Sequence, residues 1–141
     1  FLLAMLFVCL LMFDDIALGF VIGIAAGILA GMTTGLPGGF FPNVVDKVAT
    51  TAVFIFLIRI AKSRINLYVI SIATPILGTL FSGTIFLLSA ILMGVLPKVA
   101  FLPAFGTAVL PATVGNTILV SVLFSALKQT GRLITNRRAK A

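Results

Sequence analysis

Two apolar runs of the chain are separated by the polar segment Thr33-Thr-Gly-Leu-Pro-Gly-Gly-Phe-Phe-Pro-Asn-Val-Val-Asp-Lys47. The prolines and glycines of its Leu36–Asn43 part cannot continue a helix, so backbone donors and acceptors must be free there. Asp46 and Lys47 follow directly, and they place a carboxylate and an ammonium in surroundings that are almost free of charge. Non-helical backbone beside such charges in a membrane protein indicates a solute cavity. An ordinary extracellular turn is the alternative.

The composition around this segment is that of an integral membrane protein. Of the 141 residues, 61% are hydrophobic and only 9% are charged, and the mean hydropathy is +1.30. Soluble domains are about half apolar. Because each spanning helix takes about 20 residues, we predict an all-α bundle over residues 1–128 and a basic tail over residues 129–141.

The bundle is expected to hold five hydrophobic helices. The apolar runs are Phe1–Phe13, Ile16–Met32, Val48–Ala61, Leu67–Leu96 and Phe101–Leu127. The first run is too short to span, since thirteen helical residues rise about 20 Å against a hydrocarbon core of about 30 Å. The other four are predicted to span, and one further helix before Phe1 would make six in the full-length protein.

The charge distribution predicts an orientation in a bacterial plasma membrane. The net charge is +7, and the basic residues form one cluster at Arg59, Lys62 and Arg64 and another between Lys128 and Lys140. Each cluster follows an apolar run, which is the positive-inside pattern. We therefore expect a multi-pass protein with these segments and the C-terminus in the cytoplasm, and with the Thr33–Lys47 segment outside. Nucleic-acid binding is disfavoured, because no basic stripe is interleaved with aromatics.

Catalysis and cofactor binding find little support in the sequence. The chain has one cysteine and no histidine, which argues against zinc or haem ligation and against a disulfide framework. A Ser/His/Asp set and a nucleotide-binding Gly-Lys-Ser/Thr motif are also missing from the sequence. We therefore expect neither an enzyme nor a cofactor or metal site.

The candidate substrate site lies where the helix after the polar segment begins. If that helix starts near Pro42 or Asn43, then Asn43, Asp46 and Thr50 share one face while Lys47 lies on the adjacent face. A carboxylate and an ammonium at one cavity suit a zwitterionic amino acid. The alternative is a solvated helix start at headgroup level, with the Lys47 side chain reaching toward water.

Three further side chains complete the predicted site. Phe40 and Phe41 could supply an apolar wall. Asn116 places an amide within an apolar run, where it needs a partner. It either completes the cavity or forms a hydrogen bond between helices.

Small residues form a stripe in the second run. Gly19, Gly23, Gly27 and Gly31 recur every four residues, which aligns them on one helix face where another backbone can approach closely. Packing within the bundle is the favoured interpretation, and a surface for a partner protein is the alternative.

Two further motifs accompany the polar segment: Gly78-Thr-Leu-Phe-Ser-Gly-Thr-Ile-Phe-Leu-Leu-Ser-Ala90 and Leu110-Pro-Ala-Thr-Val-Gly-Asn-Thr-Ile118. Together the three resemble the bacterial tryptophan transporter family TrpP, over nearly the whole chain to about Lys128. The resemblance implies uptake of tryptophan and a fold similar to the six-helix substrate-binding components of energy-coupling factor (ECF) transporters. It also implies a possible partner, a transmembrane coupling protein with two ATPases.

Two alternative functions accompany this hypothesis. One is an ECF-type vitamin-binding component for another ring compound. The other is a membrane scaffold without transport activity, which would pack through its glycine-rich helix.

Overall fold

The computed structural model describes the backbone of residues 2–138 and the side chains of residues 2–130. This part of the chain is helical and contains no strand. The helices are α1 (Leu2–Met12), α2 (Ile16–Met32), α3 (Phe40–Lys62), α4 (Leu67–Leu92), α5 (Phe101–Ala104) and α6 (Leu110–Arg138). A 3₁₀ turn (Lys98–Ala100) precedes α5, and a π-helical turn (Phe105–Val109) joins α5 to α6. These last four segments form one continuous rod, here called the C-terminal rod. With the C-terminal rod counted as one helix, the described residues form five helices, and the predicted all-α fold is confirmed.

The helix boundaries differ from the ends of the apolar runs at positions near proline and glycine. α3 begins at Phe40, ahead of the expected start at Pro42 or Asn43, because proline is tolerated in a first turn whose N–H groups have no partner in any case. α4 ends at Leu92 rather than Leu96 because Gly94 adopts a φ of 72°. α6 continues through Arg138, so the predicted tail begins within a helix; its side chains beyond residue 130 lie outside the described part.

Among the described residues, two segments are long and apolar enough to cross a membrane by length and composition, namely Leu67–Leu92 and Lys98–Thr130. α2 has 17 residues, which is at the lower limit for a spanning helix. α3 has 23 residues but carries four charged side chains. Burial of Asp46 and Lys47 inside the bundle accounts for their place in a helix of spanning length, because charges at membrane depth face the protein interior.

The core is organised around α1, in which seven of eleven residues are buried. Its Phe7 ring lies against Gly78 on α4 and 5.6 Å from the Phe54 ring, measured between centroids. Around it, α2 packs on α3, α3 on α4, and α4 on the C-terminal rod. Gly78 provides the space for the ring, since any side chain there would occupy the same volume.

The two ends of the bundle have different charge. At one end, Lys62 Nζ lies 2.6 Å from Asp14 Oδ1, and the Lys128 ammonium lies 4.3 Å from the Tyr68 ring centroid. This is called the basic end. The hydrogen bond from Lys62, and then its charge, lower the pKa of the exposed Asp14 carboxyl. At the other end, the turn at Gly38 lies against Val95, so the loops before α3 and after α4 meet there.

Candidate functional site

A cavity of about 700 Å³ opens between α2, α3, α4 and the C-terminal rod, in the half of the bundle away from the basic end. This size is typical of small-molecule sites. We call it the charged cavity. Its lining consists of Leu2, Leu3, Ala30, Thr33, Thr34, Asn43, Asp46, Lys47, Thr79, Ser82, Gly83, Phe86, Ala108, Val109, Ala112 and Asn116.

Asp46 and Lys47 form an ion pair on the α3 wall of the charged cavity. The Lys47 ammonium donates to Asp46 Oδ2, and the hydroxyl of Thr50 donates to Asp46 Oδ1 at 3.1 Å. Asp46 is 1% exposed and Lys47 is 7% exposed. Charges so deeply buried are tolerated when each is paired and hydrogen-bonded, and here both conditions are met.

The spacing along the helix places Asp46 and Lys47 on adjacent faces of α3. Both reach the same cavity and contact one another, because adjacent side chains on a helix can bend toward each other when they carry opposite charge. Thr50 is fully buried and supports Asp46 from behind the cavity wall. Asn43 lines the cavity, and its amide group donates to the carbonyl of Gly39 at 2.8 Å.

The opposite wall carries a polar contact between two helices. Asn116 on α6 donates through Nδ2 to Thr79 Oγ1 on α4 at 3.1 Å, and both residues line the cavity. Asn116 thus makes the hydrogen bond between helices and also borders the cavity. A buried hydrogen bond of this kind fixes the position of the two helices relative to each other. It leaves the side-chain oxygen Oδ1 of Asn116 as an acceptor.

Comparison with known proteins identifies the family. The sequence profile described as tryptophan transporter TrpP matches residues 1–132. The chain belongs to the TrpP family. A probable tryptophan transport protein of Clostridium acetobutylicum is 40% identical to this TrpP chain over 134 residues, covering 95% of the chain and 78% of that protein. TrpP is a family of transporters and not of enzymes, which confirms the prediction made from the sequence.

Two further TrpP relatives are similar over most of their length. The probable tryptophan transport protein of Clostridium perfringens is 37% identical, over 94% of this chain and 77% of that protein. That of Bacillus subtilis is 35% identical, over 86% of this chain and 70% of that protein. No solved structure matches the TrpP chain at a significant level.

Phe40 and Phe41 do not line the charged cavity of this TrpP chain. They are 37% and 66% exposed, and their rings contact each other edge to face with centroids 5.4 Å apart. The Phe40 ring instead lies against Gly31 on α2. The aromatic side chain in the lining is Phe86 on α4.

The sequence analysis missed the α4 wall. Thr79, Ser82, Gly83 and Phe86 line the cavity, and their spacing of three, four and seven residues places them on one helix face. That spacing was the available signal. Hydroxyl groups in apolar helices usually form hydrogen bonds to the backbone of their own helix. Ser82 and its neighbours therefore do not indicate a binding site without knowledge of the fold.

The glycine stripe of α2 packs against α3 of the same TrpP chain. The facing residues run antiparallel along α3: Ile55 against Gly19, Thr51 against Gly23, Val44 and Lys47 against Gly27, and Phe40 against Gly31. A Cβ at Gly27 would lie 3.1 Å from Val44 Cα, so the two backbones are in close contact. This face is covered by α3 and is not open to a partner protein.

The chemistry of the charged cavity is suited to binding. Within the described residues, no group of three or more metal-ligating side chains is present. The cavity offers one carboxylate, one ammonium, and amide and hydroxyl groups on the opposite wall. Such a set can hold a small molecule that carries both charges and a hydrogen-bonding ring.

Proposed function

We propose that this TrpP-family protein takes up tryptophan across a bacterial plasma membrane and binds it as a zwitterion in the charged cavity. The observation that carries the proposal is the Asp46–Lys47 pair in the wall of a cavity of ligand size. The names of the three relatives support tryptophan as the substrate. A vitamin that lacks adjacent amino and carboxyl groups would leave this pair unmatched, so the zwitterion is preferred.

Binding would exchange one ion pair for two. The substrate ammonium would contact Asp46 and the substrate carboxylate would contact Lys47, so that every desolvated charge keeps a partner of opposite sign. Thr50, whose hydroxyl donates to Asp46, would hold the Asp46 carboxylate in place. Asn43 borders the same charged wall and would orient the substrate there.

The indole ring would occupy the side of the cavity formed by α4 and α6. Phe86 offers an aromatic surface there, and Asn116 offers its carbonyl oxygen. A buried indole N–H requires one acceptor, and Asn116 would provide it. Phe40 and Phe41 are left out of this proposed site because they lie outside the cavity.

The orientation follows from charge. Arg59, Lys62 and Arg64 lie near the end opposite the charged cavity, and the positive-inside rule would place that end, with the C-terminus, in the cytoplasm. The cavity would then lie in the outer half of the membrane, as uptake requires.

An ECF coupling protein with two ATPases remains the partner that the resemblance implies, and uptake that stops on ATP depletion would support it.

Uptake of radiolabelled tryptophan by cells that express the protein tests the site. We expect the Asp46→Asn/Lys47→Met double variant to lose at least about 100-fold in uptake efficiency, since each contact to a charged group contributes about 1.5–3 kcal/mol. The double variant avoids leaving one buried charge without a partner. Asp15→Asn/Lys98→Met makes the same charge changes at exposed positions and should retain uptake. Unchanged uptake in the first variant, at equal expression, would exclude this site.

A further inference from the structure

A second cavity, of about 420 Å³, lies at the basic end between α1, the turn from α3 to α4, and α6. Its polar side is formed by Lys62, Lys128 and Asp14, and its apolar side includes Leu11, Ile65 and Phe124. We call it the basic cavity. It shares no lining residue with the charged cavity, and tryptophan transport as proposed above does not use it.

The basic cavity carries an excess of positive charge. The chain has only three acidic residues; Asp46 pairs with Lys47, and Asp14 pairs with Lys62. Neither of these ion pairs includes Lys128, which is half-buried with its ammonium 4.3 Å from the Tyr68 ring centroid. Two ammonium groups therefore face one carboxylate, and the cavity is short of one negative charge.

An apolar groove adjoins the basic cavity at one residue. It lies between α3 and α4, has a volume of about 230 Å³, and shares Ile65 with the basic cavity. From there it follows Ala61 and Leu57 along α3, and Val69 and Leu77 along α4. The exposed fractions of Leu57, Val69 and Leu77 are 50%, 55% and 60%, so the groove opens toward the lipid side of the bundle.

We propose that the basic cavity and this groove together bind one anionic phospholipid. The phosphate would lie between Lys62 and Lys128, and an acyl chain would follow the groove past Ile65. Basic pockets between membrane helices at the cytoplasmic side are suited to anionic headgroups. The continuous apolar groove favours a lipid over a free phosphate, which would use only the headgroup position.

Binding of phosphatidylglycerol to the purified full chain in detergent tests this proposal. We expect native mass spectrometry to show retention of phosphatidylglycerol in preference to phosphatidylcholine. Lys62→Gln/Lys128→Gln should weaken phosphatidylglycerol binding about 30-fold at low salt, since each basic residue near an anionic headgroup contributes about fivefold. Lys98→Gln removes one positive charge at the opposite end and should leave binding unchanged.

Two further arms separate the headgroup from the acyl chain. Lys128→Arg keeps the charge and should preserve binding. Ala73→Leu narrows the groove and should weaken binding of phosphatidylglycerol while leaving the preference for it over phosphatidylcholine. Thermal stabilisation by inorganic phosphate equal to that by phosphatidylglycerol would contradict a lipid site, as would equal losses in Lys98→Gln and the double variant. Because these measurements use no tryptophan, their failure is distinguishable from failure of the transport proposal.

Discussion

At the residue scale, burial of the Asp46–Lys47 pair is costly. Moving either charge out of water carries a penalty of several kcal/mol, which the partner and its hydrogen bonds only partly offset. Two contacts limit that cost here, namely the ion pair itself and the hydrogen bond from the Thr50 hydroxyl to Asp46. The pair also lines a cavity and does not face lipid. A chain that needed only stability would place apolar side chains at these positions.

Thr50 and Thr51 provide a matched test of this arrangement. The Thr50 hydroxyl donates to Asp46, whereas the Thr51 hydroxyl donates to the Lys47 backbone carbonyl at 2.6 Å. We expect Thr50→Val to weaken tryptophan binding about tenfold, the lower end for a hydrogen bond to a charged group. Thr51→Val should change binding less than about twofold, because its hydroxyl only bonds to its own helix. The KM of tryptophan uptake measures both, and equal effects would contradict a supporting role for Thr50.

At the scale of elements, the contact between α2 and α3 determines where the charged wall lies. All four glycines of the stripe face α3, and at Gly27 and Gly31 the α3 backbone itself comes into contact. Lys47 itself lies beside Gly27, where a Cβ would be 3.3 Å from Lys47 Cβ. The close approach of the helices and the position of the ion pair are therefore linked.

Substitution of Gly31 should test how much the close contact between α2 and α3 contributes to stability. A Cβ at Gly31 would lie 2.9 Å from the Phe40 carbonyl oxygen and 2.7 Å from Phe40 Cδ2. Gly31→Ala should therefore displace the start of α3 and cost about 1–3 kcal/mol of stability, as overpacking usually does. Gly115→Ala has no atom within 4 Å of its Cβ and should be neutral or stabilising by up to about 1 kcal/mol. Thermal unfolding in detergent compares the two, and an equal loss of stability would show that backbone contact is not the cause.

The elements also show what sequence can and cannot predict. Apolar runs predicted the number and order of the helices, and polar or charged side chains in an apolar setting pointed to Asp46, Lys47 and Asn116, which line the cavity. The start of α3 was not predictable from the Pro/Gly content alone, because Pro42 is compatible with a first turn. The Phe40 ring packs against Gly31 of α2 rather than into the cavity, and the sequence alone does not predict this contact between helices.

At the scale of the whole molecule, the bundle separates two kinds of site. The charged cavity uses the first turns of α3 and the early part of the C-terminal rod, and the basic cavity uses the opposite ends of the same segments. One end is proposed to bind and release a small zwitterion. The other carries unbalanced positive charge beside apolar surface, which suits a stationary contact with anionic lipid.

Cysteine labelling should determine which end faces the outside. The chain contains one cysteine, Cys9, so a Cys9→Ser background carries only the thiol that is introduced. Gly35→Cys lies in the loop near the charged cavity, with no atom within 4 Å of its Cβ, and Ser63→Cys lies exposed at the basic end. A membrane-impermeant maleimide should label the Gly35→Cys variant in intact cells and the Ser63→Cys variant only after permeabilisation. The physical reason is that short loops rich in Lys and Arg are preferentially retained in the cytoplasm. The reverse pattern would turn the charged cavity toward the cytoplasm, where a binding site for uptake would have to be loaded from the wrong side.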